Sequence, residues 1–183
     1  GINASGRSTE RYQEFCRGRY LALARSRRYV ERHLPAACAI GTQASPLIIC
    51  FLASRIRGRQ IENPRQVSAF LYPKRYSPKS PAFSRSLLVS WRKDLHQLFI
   101  SGTASIVGHA TVHADNLQLQ LEETFRNLQA LKATADRFVT HPFRLQLLKV
   151  YVRDGAHAAE VFSTLSSCFA SGIPTLVLQG EIC

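Results

Sequence analysis

From residue 83 onward, short apolar runs alternate with longer amphipathic stretches. Runs of strand length indicate β-strands, and apolar residues three or four positions apart indicate helices. The pattern predicts strand 84–91, strand 95–102, helix 115–136, strand 145–152, a helix that Asp154 caps and Gly172 ends, and strand 174–182. This β-β-α-β-α-β order predicts an α/β (α+β) fold, with both helices on one face of a sheet. Because 145–152 is almost continuously apolar, we expect its strand to be buried on both faces.

The first 80 residues have a less regular pattern. Apolar residues at helical spacing predict a helix over 9–32, and two branched apolar runs at 34–40 and 46–53 predict a hairpin. A third strand is expected at 66–72. We therefore predict two domains: a smaller α/β subdomain over 1–80 and the regular sheet domain over 81–183.

The connector 72–81 contains three prolines, two tyrosines and three cations. Prolines at this density make a stiff, extended segment. It is either a linker between the two domains or one wall of a binding site, because aromatic rings interleaved with cations suit a planar anion.

The stretch 99–109, Phe-Ile-Ser-Gly-Thr-Ala-Ser-Ile-Val-Gly-His, changes from apolar to small residues inside a predicted strand. Small residues in a strand indicate that something approaches the backbone closely, either a ligand or another chain segment. One interpretation is a pocket face that includes Gly102 and Thr103. The other is a tight packing position in a sheet.

Charge is strongly unbalanced: 24 Lys and Arg against 12 Asp and Glu, a net charge of +12. Such a field attracts anions, either nucleic acid or a small polyanion. Arginine outnumbers lysine, which favours planar, bidentate capture of carboxylates or phosphates. Arg75 and Arg85 flank the connector, and Arg153 follows a predicted buried strand, where ligands of α/β sheets usually bind.

Other classes of protein lack support in the sequence. The five cysteines form no C-x-x-C pair and leave one unpaired in any disulfide scheme, so we expect reduced thiols and a cytoplasmic location. No apolar run is long enough for a membrane span and no secretory signal is visible. His109 and His113 lack further ligands at metal spacing, and both a P-loop and a Gly-x-Ser-x-Gly motif are absent.

Eight short strings resemble those of the chorismatases, also called pteridine-dependent deoxygenase-like proteins, whose fold is similar to that of the Rid-type deaminases. In order they are Ile2-Asn-Ala, Glu10-Arg-Tyr, Leu34-Pro-Ala-Ala, Glu62-Asn-Pro-Arg-Gln-Val-Ser-Ala, Tyr72-Pro-x-Arg-Tyr, Ser101-Gly-Thr-Ala-Ser-Ile-Val-Gly-His, Lys149-Val-Tyr-Val-Arg-Asp and Glu181-Ile-Cys. The resemblance spans essentially the whole chain.

The resemblance implies an enzyme that protonates the enol ether of chorismate, a dianion, and releases pyruvate without a metal or organic cofactor. It implies that substrate carboxylates bind arginines and tyrosines, here Tyr72, Arg75, Tyr76, Arg85 and Arg153. Relatives of the Rid type form trimers, so a homo-oligomer is possible.

Cys183 falls where the hydroxybenzoate-forming subfamilies keep a cysteine, which predicts a catalytic role and a 3- or 4-hydroxybenzoate product. Family members carry a further N-terminal portion, and a general-acid glutamate in a strand beyond this cysteine. We therefore expect a fragment that is inactive by itself.

Two alternatives remain. A Rid-type imine deaminase would have an arginine where the final strand begins, but Pro174 and Thr175 stand there. A basic nucleic-acid-binding module is supported by the charge alone.

Overall fold

The computed structural model describes residues 10–26, 33–42, 47–169 and 172–182. The elements in these ranges are α1 (Arg11–Arg25), β1 (Arg59–Ile61), β2 (Ser86–Arg92), β3 (Leu95–Ile100), β4 (Ile106–Val107), β5 (Ala110–Thr111), α2 (Leu117–Asp136), β6 (Leu148–Val152), α3 (Ala158–Cys168) and β7 (Thr175–Gln179), with short 3₁₀ helices at Ala69–Leu71 and Gly155–His157. The protein is a mixed α/β protein, as predicted. Apart from the short strands β4 and β5, which the sequence did not predict, the order β2-β3-α2-β6-α3-β7 matches the predicted β-β-α-β-α-β sequence. The described strands form three sheets, β1-β2-β3, β4-β5 and β6-β7, rather than the single sheet that was predicted.

The chain divides into two compact units that interleave along the sequence. Unit 1 comprises 1–12, 39–51 and 144–183, and unit 2 comprises 13–38 and 52–143. The domain boundary predicted at residue 80 falls inside unit 2, and the division into domains 1–80 and 81–183 stays a prediction.

Unit 2 is built on an antiparallel sheet in the order β1-β2-β3. Its apolar core lies between this sheet and α2, and consists of Ile61, Leu88, Leu131 and Ala135, with Leu98, Val139 and Phe143 packed around them. Helix α2 begins where the Asn116 side chain accepts a hydrogen bond from the Leu119 N–H at 2.9 Å, a standard N-cap arrangement. The two-stranded ribbon β4-β5 follows the stretch of small residues.

Unit 1 contains the parallel pair β6-β7, in register from Leu148 opposite Thr175 to Val152 opposite Gln179. Asp154 accepts a hydrogen bond from the Ala156 N–H at 2.9 Å, and so caps the 3₁₀ helix Gly155–His157 that precedes α3 rather than α3 itself, whose N-cap is His157. The expectation that residues 145–152 are buried on both faces is wrong. Only Val152 of β6 is buried, because the described part of unit 1 pairs β6 with the single strand β7.

The predicted hairpin of 34–40 and 46–53 is also wrong. Residues 33–42 make isolated bridges instead, Ala36 with Ser84 and Gly41 with Glu181. The predicted turn, 41–45, lies mostly outside the described residues, and 47–53 form no strand. Their apolar side chains are largely exposed, up to 85% at Leu52.

The predicted strand 66–72 is replaced by a single bridge from Gln66 to Gly108 and the 3₁₀ helix Ala69–Leu71. The approach to Pro73 explains this change, because proline has no N–H to donate to a sheet.

Candidate functional site

Arg85 of unit 2 is a buried cation, with only 4% of its surface exposed. One terminal nitrogen donates hydrogen bonds to the Val67 carbonyl oxygen at 2.7 Å and to the Tyr72 hydroxyl at 2.8 Å. The guanidinium carbon lies 5.4 Å from the Tyr72 ring centroid and 5.7 Å from that of Phe83. The Nε atom is buried without a hydrogen-bond partner. A buried cation with an unused donor is suited to binding an anion.

Arg75, Tyr76 and His109 continue the site from Tyr72. The rings of Tyr72 and Tyr76 lie 6.0 Å apart, and the Arg75 guanidinium lies over the Tyr76 ring at 5.0 Å. The Nδ1 atom of His109 is 3.1 Å from the Tyr76 hydroxyl and 3.3 Å from an Arg75 terminal nitrogen. We call these five residues, including Arg85, the arginine–tyrosine cluster. It brings together four predicted site residues and adds His109.

The connector 72–81 is held against other parts of unit 2. The Ser80 hydroxyl donates to the Tyr72 carbonyl oxygen at 2.9 Å, which folds the connector back on itself. Gln13 of α1 donates to the Tyr76 carbonyl oxygen at 3.1 Å, and Lys79 lies over the Tyr20 ring at 4.3 Å. The prolines and these contacts fix the direction in which the connector presents its aromatic rings.

The stretch of small residues accommodates a neighbouring chain segment. The Ser101 hydroxyl accepts a hydrogen bond from the Ala37 N–H at 2.9 Å and donates to the Ser84 carbonyl oxygen. A Cβ atom at Gly102 would lie 3.2 Å from the Cys38 sulfur. The close approach at Gly102 is therefore that of residues 37 and 38, which corresponds to the tight-packing interpretation. Thr103 donates to the Ser101 carbonyl oxygen at 2.9 Å, and substrate binding by Gly102 and Thr103 stays a prediction.

Glu123 of α2 is a buried carboxylate that binds two arginines of unit 2. It accepts hydrogen bonds from Arg65 at 2.5 Å and Arg126 at 3.3 Å, and His113 Nε2 is 3.8 Å away. Burial raises the pKa of Glu123, but the hydrogen bonds and charges of Arg65 and Arg126 outweigh it, so the pKa lies below its ordinary value of 4.5. In contrast to Arg85, Arg65 is neutralised by an acid.

Asn127, with no exposed surface, links this ion pair to the backbone near the cluster. Its amide donates to the carbonyl oxygens of Ala104 at 3.0 Å and Ile106 at 2.9 Å, and its Oδ1 accepts from Arg65 at 3.2 Å. The sequence interpretation missed this network. Its signal is a pair of polar residues, Glu123 and Asn127, one turn apart on the apolar stripe of α2.

The backbone of Gly108, which precedes His109, is fixed by two hydrogen bonds. Its N–H donates to the Arg65 carbonyl oxygen at 2.8 Å, and its carbonyl oxygen accepts from the Val67 N–H at 2.7 Å. Its φ of +60° is a left-handed conformation that glycine adopts without strain. Val67 therefore contacts both residues: its N–H donates to the Gly108 carbonyl oxygen, and its own carbonyl oxygen accepts a hydrogen bond from Arg85.

Two predicted site residues belong to unit 1. Arg153 donates to the Ile182 carbonyl oxygen at 2.8 Å, and its role in binding a substrate stays a prediction. Cys183, the predicted catalytic residue, lies outside the described residues. Within the part of the chain that the structure describes, no three His, Cys, Asp or Glu side chains are grouped as metal ligands. That part also has no helix long and apolar enough to cross a bilayer.

Comparisons with known proteins agree with this architecture. Residues 1–53 match the family model described as chorismatase FkbO/Hyg5-like, N-terminal. A 3-hydroxybenzoate synthase of Streptomyces hygroscopicus is 34% identical over 192 residues, which cover 99% of this chain and 55% of the relative. A chorismatase of Streptomyces rapamycinicus is 38% identical over 160 residues, covering 82% of this chain and 47% of the relative.

A crystal structure of a chorismatase superposes with a TM-score of 0.84 and 28% identity, covering all of this chain and 57% of the other. The chain thus spans about half the length of the curated relatives it matches. The sequence similarity and the shared fold lead to one assignment: this chain belongs to the chorismatase family.

Proposed function

We propose that this chain carries a chorismate-binding site of a chorismatase that converts chorismate to pyruvate and 3- or 4-hydroxybenzoate. The observation that supports this most directly is Arg85, a buried guanidinium whose Nε has no hydrogen-bond partner. No acid among the described residues forms an ion pair with it. A substrate carboxylate would supply both the missing charge and the missing acceptor.

The rest of the cluster suits the other parts of chorismate. This substrate has two carboxylates on a six-membered ring, one of them in the enolpyruvyl group. Arg85 and Arg75 lie at the two ends of the Tyr72–Tyr76 pair, so each can bind one carboxylate while the tyrosine rings pack along the substrate ring. Both guanidinium groups are held by neutral acceptors, so their charges remain available to the dianion.

Protonation of the enolpyruvyl methylene makes pyruvate a leaving group, which departs with the ether oxygen when the bond between that oxygen and the ring carbon breaks. The ring then loses one proton and becomes aromatic while it keeps its hydroxyl group, so chorismate gives one hydroxybenzoate and one pyruvate with no net loss of water. The predicted hydroxybenzoate branch is supported by the name of one relative, a 3-hydroxybenzoate synthase. Cys183 in that branch, Arg153 as a further carboxylate ligand, a cytoplasmic location and a homo-oligomeric state stay predictions.

Two measurements test the proposal. Calorimetric titration with chorismate tests binding, and a coupled assay for pyruvate with chromatography of the aromatic products tests turnover. We expect Arg85→Gln to weaken chorismate binding by at least about tenfold, the loss of one charge-assisted contact. The matched control is Arg92→Gln, since Arg92 is an exposed arginine at the end of β2. Absence of chorismate binding by the unaltered protein would refute the proposal, as would equal affinities of the two variants.

A further inference from the structure

The hydrogen-bond acceptors of Arg75 and Arg85 differ in charge from the acceptor of Arg65 and Arg126. Arg65 and Arg126 bind the carboxylate of Glu123. Arg75, by contrast, is positioned by the Tyr76 hydroxyl at 3.2 Å and by His109 Nδ1 at 3.3 Å. A carboxylate in place of these groups would orient Arg75 equally well but would also cancel its charge. A neutral acceptor orients the guanidinium and leaves the charge for a ligand.

The contact with Arg75 fixes the protonation state of the His109 ring. A guanidinium has five N–H donors and no acceptor, so His109 Nδ1 must contribute a lone pair to this hydrogen bond. The ring proton of His109 is therefore on Nε2, and the imidazole is neutral in this arrangement. The Tyr76 hydroxyl, 3.1 Å from the same Nδ1, is the second donor.

We propose that His109 is a positioning residue: its unprotonated Nδ1 holds the Arg75 guanidinium in place for a substrate carboxylate, and protonation of His109 weakens anion binding. The identity of the anion as chorismate rests on the proposed function. A proton on Nδ1 removes the only lone pair that faces Arg75 and Tyr76, and it places an imidazolium against a guanidinium. Both effects release Arg75 from its bound orientation.

The side-chain contacts of the His109 ring come from the connector. Among the described residues, the titratable and charged groups in contact with it are Arg75 and Tyr76. The other histidine of the same loop, His113, lies instead beside Glu123. The backbone next to His109 is fixed by the hydrogen bonds of Gly108, so loss of the Nδ1 contact moves the side chains of the connector rather than the loop.

The binding experiment is a calorimetric titration with chorismate between pH 5.5 and 8.0, a range in which its carboxylates stay ionised and histidine side chains titrate. We expect the affinity of the unaltered protein to fall by up to about tenfold between pH 7.5 and 5.5. In His109→Gln, the amide oxygen can accept from Arg75 and does not titrate. This variant should bind within a few-fold of the unaltered protein at pH 7.5 and show no decline in acid.

Two further variants complete the set. His109→Ala has no acceptor and should bind weakly at every pH. His141→Gln removes an exposed histidine outside the cluster and should keep the pH dependence of the unaltered protein. A decline that persists in His109→Gln would overturn the proposal. An affinity that rises in acid would also overturn it, because His109 would then act as a cation toward the anion.

A second readout does not depend on the substrate. Long-range ¹H–¹⁵N spectra of the ligand-free protein distinguish the two neutral tautomers of His109, assigned by comparison with His109→Gln. We expect the Nε2–H form, and a shift of its titration in Arg75→Gln. The Nδ1–H form would overturn the positioning role even if chorismate binds. Conversely, the Nε2–H form in a protein that does not bind chorismate would refute the proposed function and leave the His109–Arg75 contact standing.

Discussion

The Arg85 guanidinium donates to the Tyr72 hydroxyl at 2.8 Å, a contact that orients the arginine without neutralising it. Arg65, in the same unit, is oriented by the carboxylate of Glu123 and is neutralised by it. The two arginines have similar numbers of hydrogen bonds but opposite electrostatic states. This difference supports the proposal that Arg85 binds a ligand while Arg65 supports the fold, and it leads to opposite expectations for their substitution.

Arg85→Gln should leave the melting temperature unchanged or raise it, because it removes a buried charge that has no partner. Arg65→Gln should lower the free energy of unfolding by about 1–3 kcal/mol. This is less than for a fully buried pair, because Arg65 is 30% exposed and Arg126 remains beside Glu123. Thermal unfolding followed by circular dichroism compares the two. A larger loss of stability in Arg85→Gln than in Arg65→Gln would contradict this expectation, because it would show that the Arg85 charge stabilises the fold.

Glu123 predicts how stability depends on pH. Its pKa is lowered in the folded protein, so the ionised form contributes stability above the ordinary value of 4.5, and this contribution is lost as the pH falls through the lower folded value. Glu123→Gln should therefore have a lower melting temperature than the unaltered protein at pH 7, and the difference should shrink below pH 4.5. Melting curves from pH 7 to about 3.5 test this. A difference that stays constant would contradict the assignment of the ion pair.

We expect substitution of Asn127, an uncharged residue, to lower the free energy of unfolding substantially. Asn127→Ala removes three hydrogen bonds of a side chain with no exposed surface, two to the carbonyl oxygens of Ala104 and Ile106 and one from Arg65, so we expect a loss of about 2–4 kcal/mol. The matched control is Asn116→Ala, which removes the N-cap of α2 and should cost about 1 kcal/mol. Urea unfolding measures both. Equal losses would contradict the structural role of the three Asn127 hydrogen bonds.

We expect the destabilisation caused by Gly102→Ala to be relieved by a second substitution at Cys38. Gly102→Ala places a Cβ atom 3.2 Å from the Cys38 sulfur, and we expect a loss of about 1 kcal/mol. In the double variant with Cys38→Ala the contact is absent, so the added methyl group should cost nothing and can gain about 0.4–1 kcal/mol from a less flexible unfolded chain. A double-mutant cycle by urea unfolding isolates the coupling. Additive effects would show that the two side chains do not meet.

The sequence predicted the region after residue 83 well because its elements carry local signals. Helix α2 has a regular apolar stripe and an N-cap, and Asp154 caps the 3₁₀ helix that precedes α3. The region before residue 83 lacks such signals. Residues 34–40 have the composition of a strand, but the backbone at Ala36 and Gly41 makes isolated bridges to distant residues, Ser84 and Glu181. No local pattern encodes these partners.

The candidate site shows the same limit. Residue type and the resemblance were enough to select Tyr72, Arg75, Tyr76 and Arg85, which the structure brings together. They were not enough to find His109, whose contact with Arg75 depends on the left-handed turn at Gly108. Nor did they reveal Asn127, because only the three-dimensional structure shows which helix face meets the small-residue stretch.

The composition of the two units has a consequence for how the chain folds during synthesis. Unit 2 draws its residues from 13–38 and 52–143, all of which leave the ribosome before residues 144–183 of unit 1. Unit 1 joins the backbone of Gly41 to that of Glu181 by a pair of hydrogen bonds, at 2.8 and 2.9 Å. The backbone of Gly41 therefore lacks this partner until Glu181 has been synthesised, so the pairing within unit 1 forms only after all residues of unit 2 have emerged.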